Sequence, residues 1–360
     1  MNRVLAPESF DELVDAVRST PRLLAVGEGT KPRLSDVDVV KLSTTGLRGI
    51  SEYDPSEFTF TAAAGTPVRE IAAALAERGQ YLPFDPMLVD AGATLGGTVA
   101  AGLSGPGRFR FGGLRDFILG VRFVDGMGRL LRMGGKVVKN AAGFDLPKFF
   151  VGSLGRFGVL AEITFKVFPR PASALTLRLN AATLDAAVKI LTEAASSRFE
   201  FDALDVGMDG TDVLARLAGP AVALKELTRE AFARWPGEVL SEEKAESVWS
   251  GLREFRWSDL HMPLVKVALS PAAMVALGQA VRALDGARLH LSAGGNLAFI
   301  ALASTAQTGA LDESLRELGI SGITLRGEGP LWLGLRPRPR IAQAVKQALD
   351  PANRFPSLDD

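Results

Sequence analysis

Between Ala91 and Gly113 the chain carries eight glycines and no charged side chain before Arg108, which rules out most ways of building ordinary secondary structure there. A stretch of this kind buries little side-chain surface, and each glycine forgoes about 0.5–1 kcal/mol relative to alanine through lost backbone entropy. Its glycine content argues against a helix, so the sequence predicts an irregular loop. One reading is a tightly packed crossover. The other is a backbone that lies flat against a large planar or anionic ligand, with Ala93 to Gly105 small almost throughout.

A second loop of similar character narrows the choice. Ala25-Val26-Gly27-Glu28-Gly29-Thr30-Lys31-Pro32 directly follows the strand-like run Arg22 to Val26, and a glycine pair there lets backbone N–H groups converge on a phosphate. It is not a Rossmann turn: the third glycine is missing, and Pro32 is expected to block an immediate helix. Either loop alone is compatible with an ordinary turn. Two in one domain point to a ligand.

The surrounding pattern supplies the scaffold. Ser9 and Glu12 have capping-box spacing, and Phe10, Leu13, Val14 and Val17 recur at helical intervals, predicting a helix over 9–18. Strands are predicted at 22–26, 37–43, 58–64, 118–124, 130–133 and 159–168, the fourth and fifth joined as a hairpin across Asp125-Gly126. Thr66 is placed to cap a helix with Pro67 at its first position and Gly79 beyond its end. Pro169-Arg170-Pro171 can neither extend a helix nor fill a central strand, and marks a domain boundary. Downstream, strands at 175–179, 202–208, 213–217, 264–269, 288–291 and 297–302 alternate with helices at 184–195, 224–235, 242–255, 271–284 and 305–318. A last short helix is predicted over 341–349.

Composition excludes several classes of function. A chain of 360 residues is long enough for two cores. With a formal net charge of +0 and both signs scattered, it offers no basic stripe for nucleic acid. No apolar run approaches the roughly 18 residues that span a bilayer, and the start lacks the apolar core of a signal peptide, so the expected compartment is the cytoplasm. There is no cysteine, hence no disulfide and no iron–sulfur cluster held by this chain alone. The two histidines, His261 and His290, lie in the C-terminal half, so a cofactor held by the N-terminal half is expected to be non-covalent. No metal site is expected.

The order and spacing of Val26 to Lys31, Phe84-Asp85-Pro86, Ala93 to Gly105, Arg115-Asp116, Lys139 to Leu146, and Gly152-Ser153-Leu154-Gly155-Arg156-Phe157-Gly158-Val159-Leu160 resemble the FAD-binding domain of the vanillyl-alcohol oxidase (PCMH-type) superfamily. Within it the chain most resembles the E-subunit family of bacterial glycolate oxidases, relatives of the D subunit and of D-lactate dehydrogenases. Asp350-Pro351-Ala352-Asn353-Arg354-Phe355 resembles that family's C-terminal return. The resemblance implies an α+β fold: a PCMH-type FAD-binding domain over 1–171, an α+β cap domain over 172–325, and a return to the FAD domain over 326–360. It also implies that Gly27, Glu28, Gly29, Thr30 and Lys31 hold the pyrophosphate and that Thr94, Gly96, Gly97, Ser104 and Gly105 face the pyrophosphate and flavin. Pro86 joins this set, and Gly158 with Val159 lies on the adenosine side.

One departure bears on chemistry. Relatives that oxidise 2-hydroxy acids carry, on a glycine-rich turn of the cap, flanking histidines and an acid that help bind a metal and the substrate. The nearest stretch here, His290-Leu291-Ser292-Ala293-Gly294-Gly295-Asn296-Leu297-Ala298, ends in alanine and has no acid between Ser292 and Asn296. The usual general base is therefore missing, and His290 is assigned to packing, with His261 at the surface. Arg108, Arg110 and Arg115, beside the glycine-rich loop, are candidates for a substrate carboxylate or the anionic reduced flavin, with Lys136 and Lys139 behind them; ordinary surface charge is the competing reading.

The sequence thus points to a FAD-binding subunit of a glycolate oxidase complex. It would oxidise a small 2-hydroxy acid such as glycolate, or relay its electrons, beside a sister flavoprotein and an iron–sulfur subunit, with any membrane contact made through them. Two alternatives stay open: a free-standing 2-hydroxy-acid dehydrogenase, and an assembly subunit that has lost flavin.

Overall fold

The structure is a computed structural model that describes residues 4–135, 145–208, 210–336 and 340–360. Lys136, Lys139 and the Ala141-Ala142-Gly143-Phe144 motif lie outside the described residues. The chain forms two compact units, the first comprising Met1–Ser104, Gly113–Arg170 and Pro337–Asp360, the second Gly105–Gly112 and Pro171–Arg336.

In the first unit, short apolar runs near the N-terminus pair as a parallel three-stranded sheet in the order Val4–Leu5, Val40–Ser43, Leu23–Val26. The helix Phe10–Ser19 follows the first of these strands. Ser9 caps it by accepting from Glu12 N (3.2 Å), while the Glu12 carboxylate accepts from Glu8 N (2.9 Å) rather than from Ser9 as a capping box requires. A second, antiparallel sheet runs in the order Ile50–Asp54, Thr59–Ala63, Val159–Lys166, Ile118–Val124, Leu130–Gly134. Leu13 and Val17 from the helix, Leu23 and Leu42 from the parallel sheet, and Ala63, Val124, Val159 and Ala161 from the larger sheet share one core. Phe355 of the C-terminal return completes it, fully buried.

Three local expectations change. The glycine-rich segment contains a helix, Leu95–Ala101, where an irregular loop was expected. Thr94 caps it, Gly102 ends it in the left-handed region (φ 59°), and Gly96 rests directly on Ala64, where a Cβ would collide; the close seating offsets the glycine cost. Pro32 does not block a helix but starts one, the 3-10 turn Pro32–Ser35, because a proline in the first turn removes only an N–H that has no helical partner. Thr66 does not cap its helix, which spans Val68–Ala76 after Pro67; its hydroxyl instead accepts from Gly49 N (2.9 Å) and donates to Gly49 O (3.2 Å).

The second unit is one nine-stranded antiparallel sheet, in the order Gly237–Val239, Ala174–Asn180, Asp212–Ala218, Ala203–Val206, Arg288–Ser292, Leu297–Ala301, Leu264–Ala268, Ser321–Arg326, Trp332–Gly334. Helices Leu184–Ala195, Ala221–Arg234, Met274–Arg282 and Thr308–Glu317 supply Leu191, Ala231, Leu277 and Leu315 to a core shared with Leu177, Val206, Val265, Val267 and Ile300 of the strands. The hairpin that ends in Trp332–Gly334 stays in this sheet, so the unit runs to Arg336 instead of stopping at 325. Residues 105–112 also belong to it: a Cβ on Gly294 would strike the Phe109 ring, so the two chain segments are in close contact.

Candidate cofactor and substrate sites

The parallel strand Leu23–Val26 ends at the lip of a recess in the first unit, and the loop that follows forms its floor. Ala25 to Lys31, Leu34 and Ser35, Thr94, Gly97, Ala100, Ala101 and Leu154 line an open volume of about 490 Å³. A contiguous recess of about 360 Å³ shares Ala25, Val26, Gly27, Gly97 and Ala100 and continues past Thr44, Ala64, Gly96, Gly155, Gly158 and Leu160. A Cβ on Gly27 would overlap the Thr94 hydroxyl, whereas a Cβ on Gly29, at φ 69°, would meet nothing and project into open space.

Two features of the loop fit an anion. Among the described residues, the backbone N–H groups of Gly27, Glu28, Gly29, Thr30 and Lys31 make no hydrogen bond within the protein. Successive free N–H groups in a glycine turn form a concave anion site. The second feature is Lys31. Its side chain is buried, its ammonium donates to Thr30 Oγ1 (2.7 Å), and burial pushes its pKa down to about 8. Desolvation without a carboxylate partner explains that direction, and a phosphate would reverse it. These donors and the long groove fit a dinucleotide such as FAD.

The helix Leu95–Ala101 contributes shape instead of donors. Leu95 N is bonded to Thr66 O (2.9 Å), Gly96 N to Ala64 O (2.7 Å) and Gly97 N to Thr94 Oγ1 (3.3 Å), so its first N–H groups are already satisfied. The recess therefore gathers Gly27, Glu28, Gly29, Thr30, Lys31, Thr94, Gly96, Gly97 and Gly158. It does not gather Pro86, Ser104, Gly105 or Val159. Ser104 is buried and accepts from Leu114 N (3.0 Å), Gly105 lies in the second unit, and Val159 packs in the core. Sequence reasoning did not single out Thr44, Ala64 or Leu160 on the wall, because residues brought together from separate strands carry no local ligand signal.

Two of the three candidate arginines, Arg108 and Arg110, lie in the second unit. Arg110 is ion-paired with Glu200 (2.8 Å) and lies 3.7 Å from Asp202, and Arg115 is exposed in the first unit. Arg108 has no carboxylate partner among the described residues. It neighbours Lys266, which sequence reasoning did not single out and whose pKa falls to about 8 through burial and through the Arg108 charge. Lys266 stands opposite Phe299, itself opposite His290, so the three occupy one row across adjacent strands.

His290 is buried, and its Nε2 meets Asp205 Oδ2 (2.9 Å). Asp205 also accepts from Ser292 Oγ (2.9 Å) and Ala293 N (2.9 Å). This fully buried carboxylate anchors the turn Ala293-Gly294-Gly295, whose φ angles of 54°, 66° and 82° are left-handed at three successive residues. The histidine ring stacks on Phe299 at 5.9 Å. Together these contacts make a packed clamp. His261 is exposed, its backbone N–H donating to Asp259 (2.7 Å).

A family described as FAD binding domain matches residues 1–134. Glycolate oxidase subunit GlcE of Escherichia coli is 37% identical over 356 residues, 96% of this chain and 94% of that protein. Glycolate oxidase subunit GlcD of Bacillus subtilis is 28% identical over 197 residues, 53% of this chain and 42% of that protein. Among solved structures, alkyldihydroxyacetonephosphate synthase has the same fold, with a TM-score of 0.73 at 16% identity over 98% of this chain and 76% of that one.

Proposed function

This chain belongs to the glycolate oxidase subunit GlcE family, and from that premise we propose that it is the FAD-binding subunit of a complex that oxidises a small 2-hydroxy acid. The observation that carries the reading is the buried Lys31 ammonium beside five backbone N–H groups with no internal partner. Gly27 to Lys31 bind the pyrophosphate, Gly97 and Ala100 let the cofactor approach the backbone, and Gly158 leaves room at the far end of the groove. FAD, when bound, supplies the two-electron acceptor. The attachment is non-covalent.

Arg108, which has no carboxylate partner among the described residues, binds the substrate carboxylate. His290 Nε2 is held by Asp205 in the clamp, and we assign the ring to packing instead of to accepting the hydroxyl proton. Base catalysis and onward electron transfer then fall to a sister flavoprotein and an iron–sulfur subunit, the latter because this chain has no cysteine. Among the described residues no helix is long and apolar enough to cross a membrane. We place the complex in the cytoplasm, touching the inner membrane only through its partners.

The test is the visible spectrum of the purified chain followed by acid precipitation. Flavin absorbance that moves to the supernatant supports the reading; a colourless chain that takes up no added FAD refutes it. Glycolate turnover with a dye acceptor by the lone chain would instead favour a free-standing dehydrogenase.

A further inference from the structure

Arg156 is fully buried, an unusual place for a guanidinium, and its environment accounts for little of what a guanidinium can do. Nε and Nη1 have no hydrogen-bond partner among the described residues, and only Nη2 is engaged. It donates to Leu34 O (3.2 Å) and to Asp360 O (2.9 Å), main-chain oxygens that lie 122 and 204 residues away along the chain. Burial lowers its pKa to about 10, so it is charged at neutral pH. Methionine or leucine would fill the same volume without burying a charge. Neither could join two main-chain oxygens.

The segments that meet at Arg156 form or adjoin the cofactor recess. Leu34 and Ser35 belong to the 3-10 turn that continues from Lys31, and both line the recess. Arg156 itself sits between Gly155 and Gly158, which line its continuation. The third segment is the C-terminal return: Lys346 Nζ donates to Arg156 O (2.8 Å), Phe355 O (2.8 Å) and Asp350 Oδ2 (2.6 Å). Asp350 in turn accepts from Arg354 N and Phe355 N (2.9 Å each).

We propose that Arg156 is a positioning residue for the cofactor cradle, tying the turn after the phosphate loop to the C-terminal return so that residues 357–360 help set the affinity for FAD without touching it. The proposal rests on the FAD reading above. Its test is the FAD dissociation constant of the flavin-stripped full-length chain, followed by quenching of flavin fluorescence. The comparison is between the wild type, Arg156→Met, Arg156→Lys, a truncation lacking Ser357–Asp360, and the truncation combined with Arg156→Met.

Loss of a charged hydrogen-bond donor should weaken FAD binding by about tenfold or more in Arg156→Met, with Arg156→Lys recovering most of it. The truncation should weaken binding in the wild type and add little in the Arg156→Met background, because both remove the same tie. If Arg156→Met binds FAD as tightly as the wild type, or if truncation costs the same in both backgrounds, the proposal is wrong. Should Arg156→Met fail to fold by circular dichroism, the truncation alone decides, and unchanged affinity refutes it. A wild-type chain that binds no FAD overturns the FAD reading itself.

Discussion

The role proposed for Lys31 makes FAD binding sensitive to pH in a calculable way. Its pKa in the free protein is about 8, against an ordinary value of 10.5. A phosphate beside it favours the charged ammonium and should return the pKa to the ordinary range or above. Below pH 8 the ammonium is present before FAD arrives; above it, the proton must be taken up on binding. Affinity should therefore fall by about tenfold from pH 7 to pH 9, and the full gap is worth about 3 kcal/mol at about 1.4 kcal/mol per decade. The sign for stability is opposite. Between about pH 8 and 10.5 the folded chain has lost this proton while the unfolded chain keeps it, so the cost of burying the charge is relieved and the flavin-free protein gains stability as pH rises. Fluorescence titration of FAD into the flavin-free chain at pH 7, 8 and 9 measures the first effect, and thermal melts over pH 7.5–10 the second. Lys31→Met should bind FAD more weakly at pH 7, by about 1.5–3 kcal/mol, and should lose the pH dependence. A wild type whose affinity is flat from pH 7 to 9, or a Lys31→Met chain with the same slope, would remove Lys31 from the phosphate site.

Gly29→Val should fold but bind no FAD, because a β-branched residue is strained at φ 69° and its side chain enters the space meant for the pyrophosphate; normal flavin content would place the cofactor elsewhere. Arg108→Leu in the assembled complex should raise KM for the 2-hydroxy acid with FAD content unchanged, and an unaltered KM would return Arg108 to the role of surface charge. His290→Ala should lower thermal stability by about 2–4 kcal/mol, since it leaves the buried Asp205 short of a donor, while changing the activity of the complex by less than about tenfold. Silencing of a complex that still assembles with full flavin would make His290 the base.

Local chemistry sufficed for much of this protein. The helix Leu184–Ala195 follows from its Thr183 cap and apolar spacing, the hairpin Ile118–Val124 to Leu130–Gly134 from Asp125-Gly126, and the turn after Val26 from two glycines that follow a strand. Each rests on neighbours within a few residues, where periodicity and turn chemistry are written. The helix Leu95–Ala101 was hidden because its glycines are tolerated by a partner, Ala64, contributed by a different segment. The strand Trp332–Gly334 is only three residues long and takes its place from Ser321–Arg326. The clamp joins Asp205 to His290 across 85 residues, and the tie at Arg156 spans 204. In both cases the decisive event is the burial of an ionisable side chain against a distant hydrogen-bond partner. Only the folded chain sets the desolvation and the distance that decide whether such a group binds, positions or merely packs.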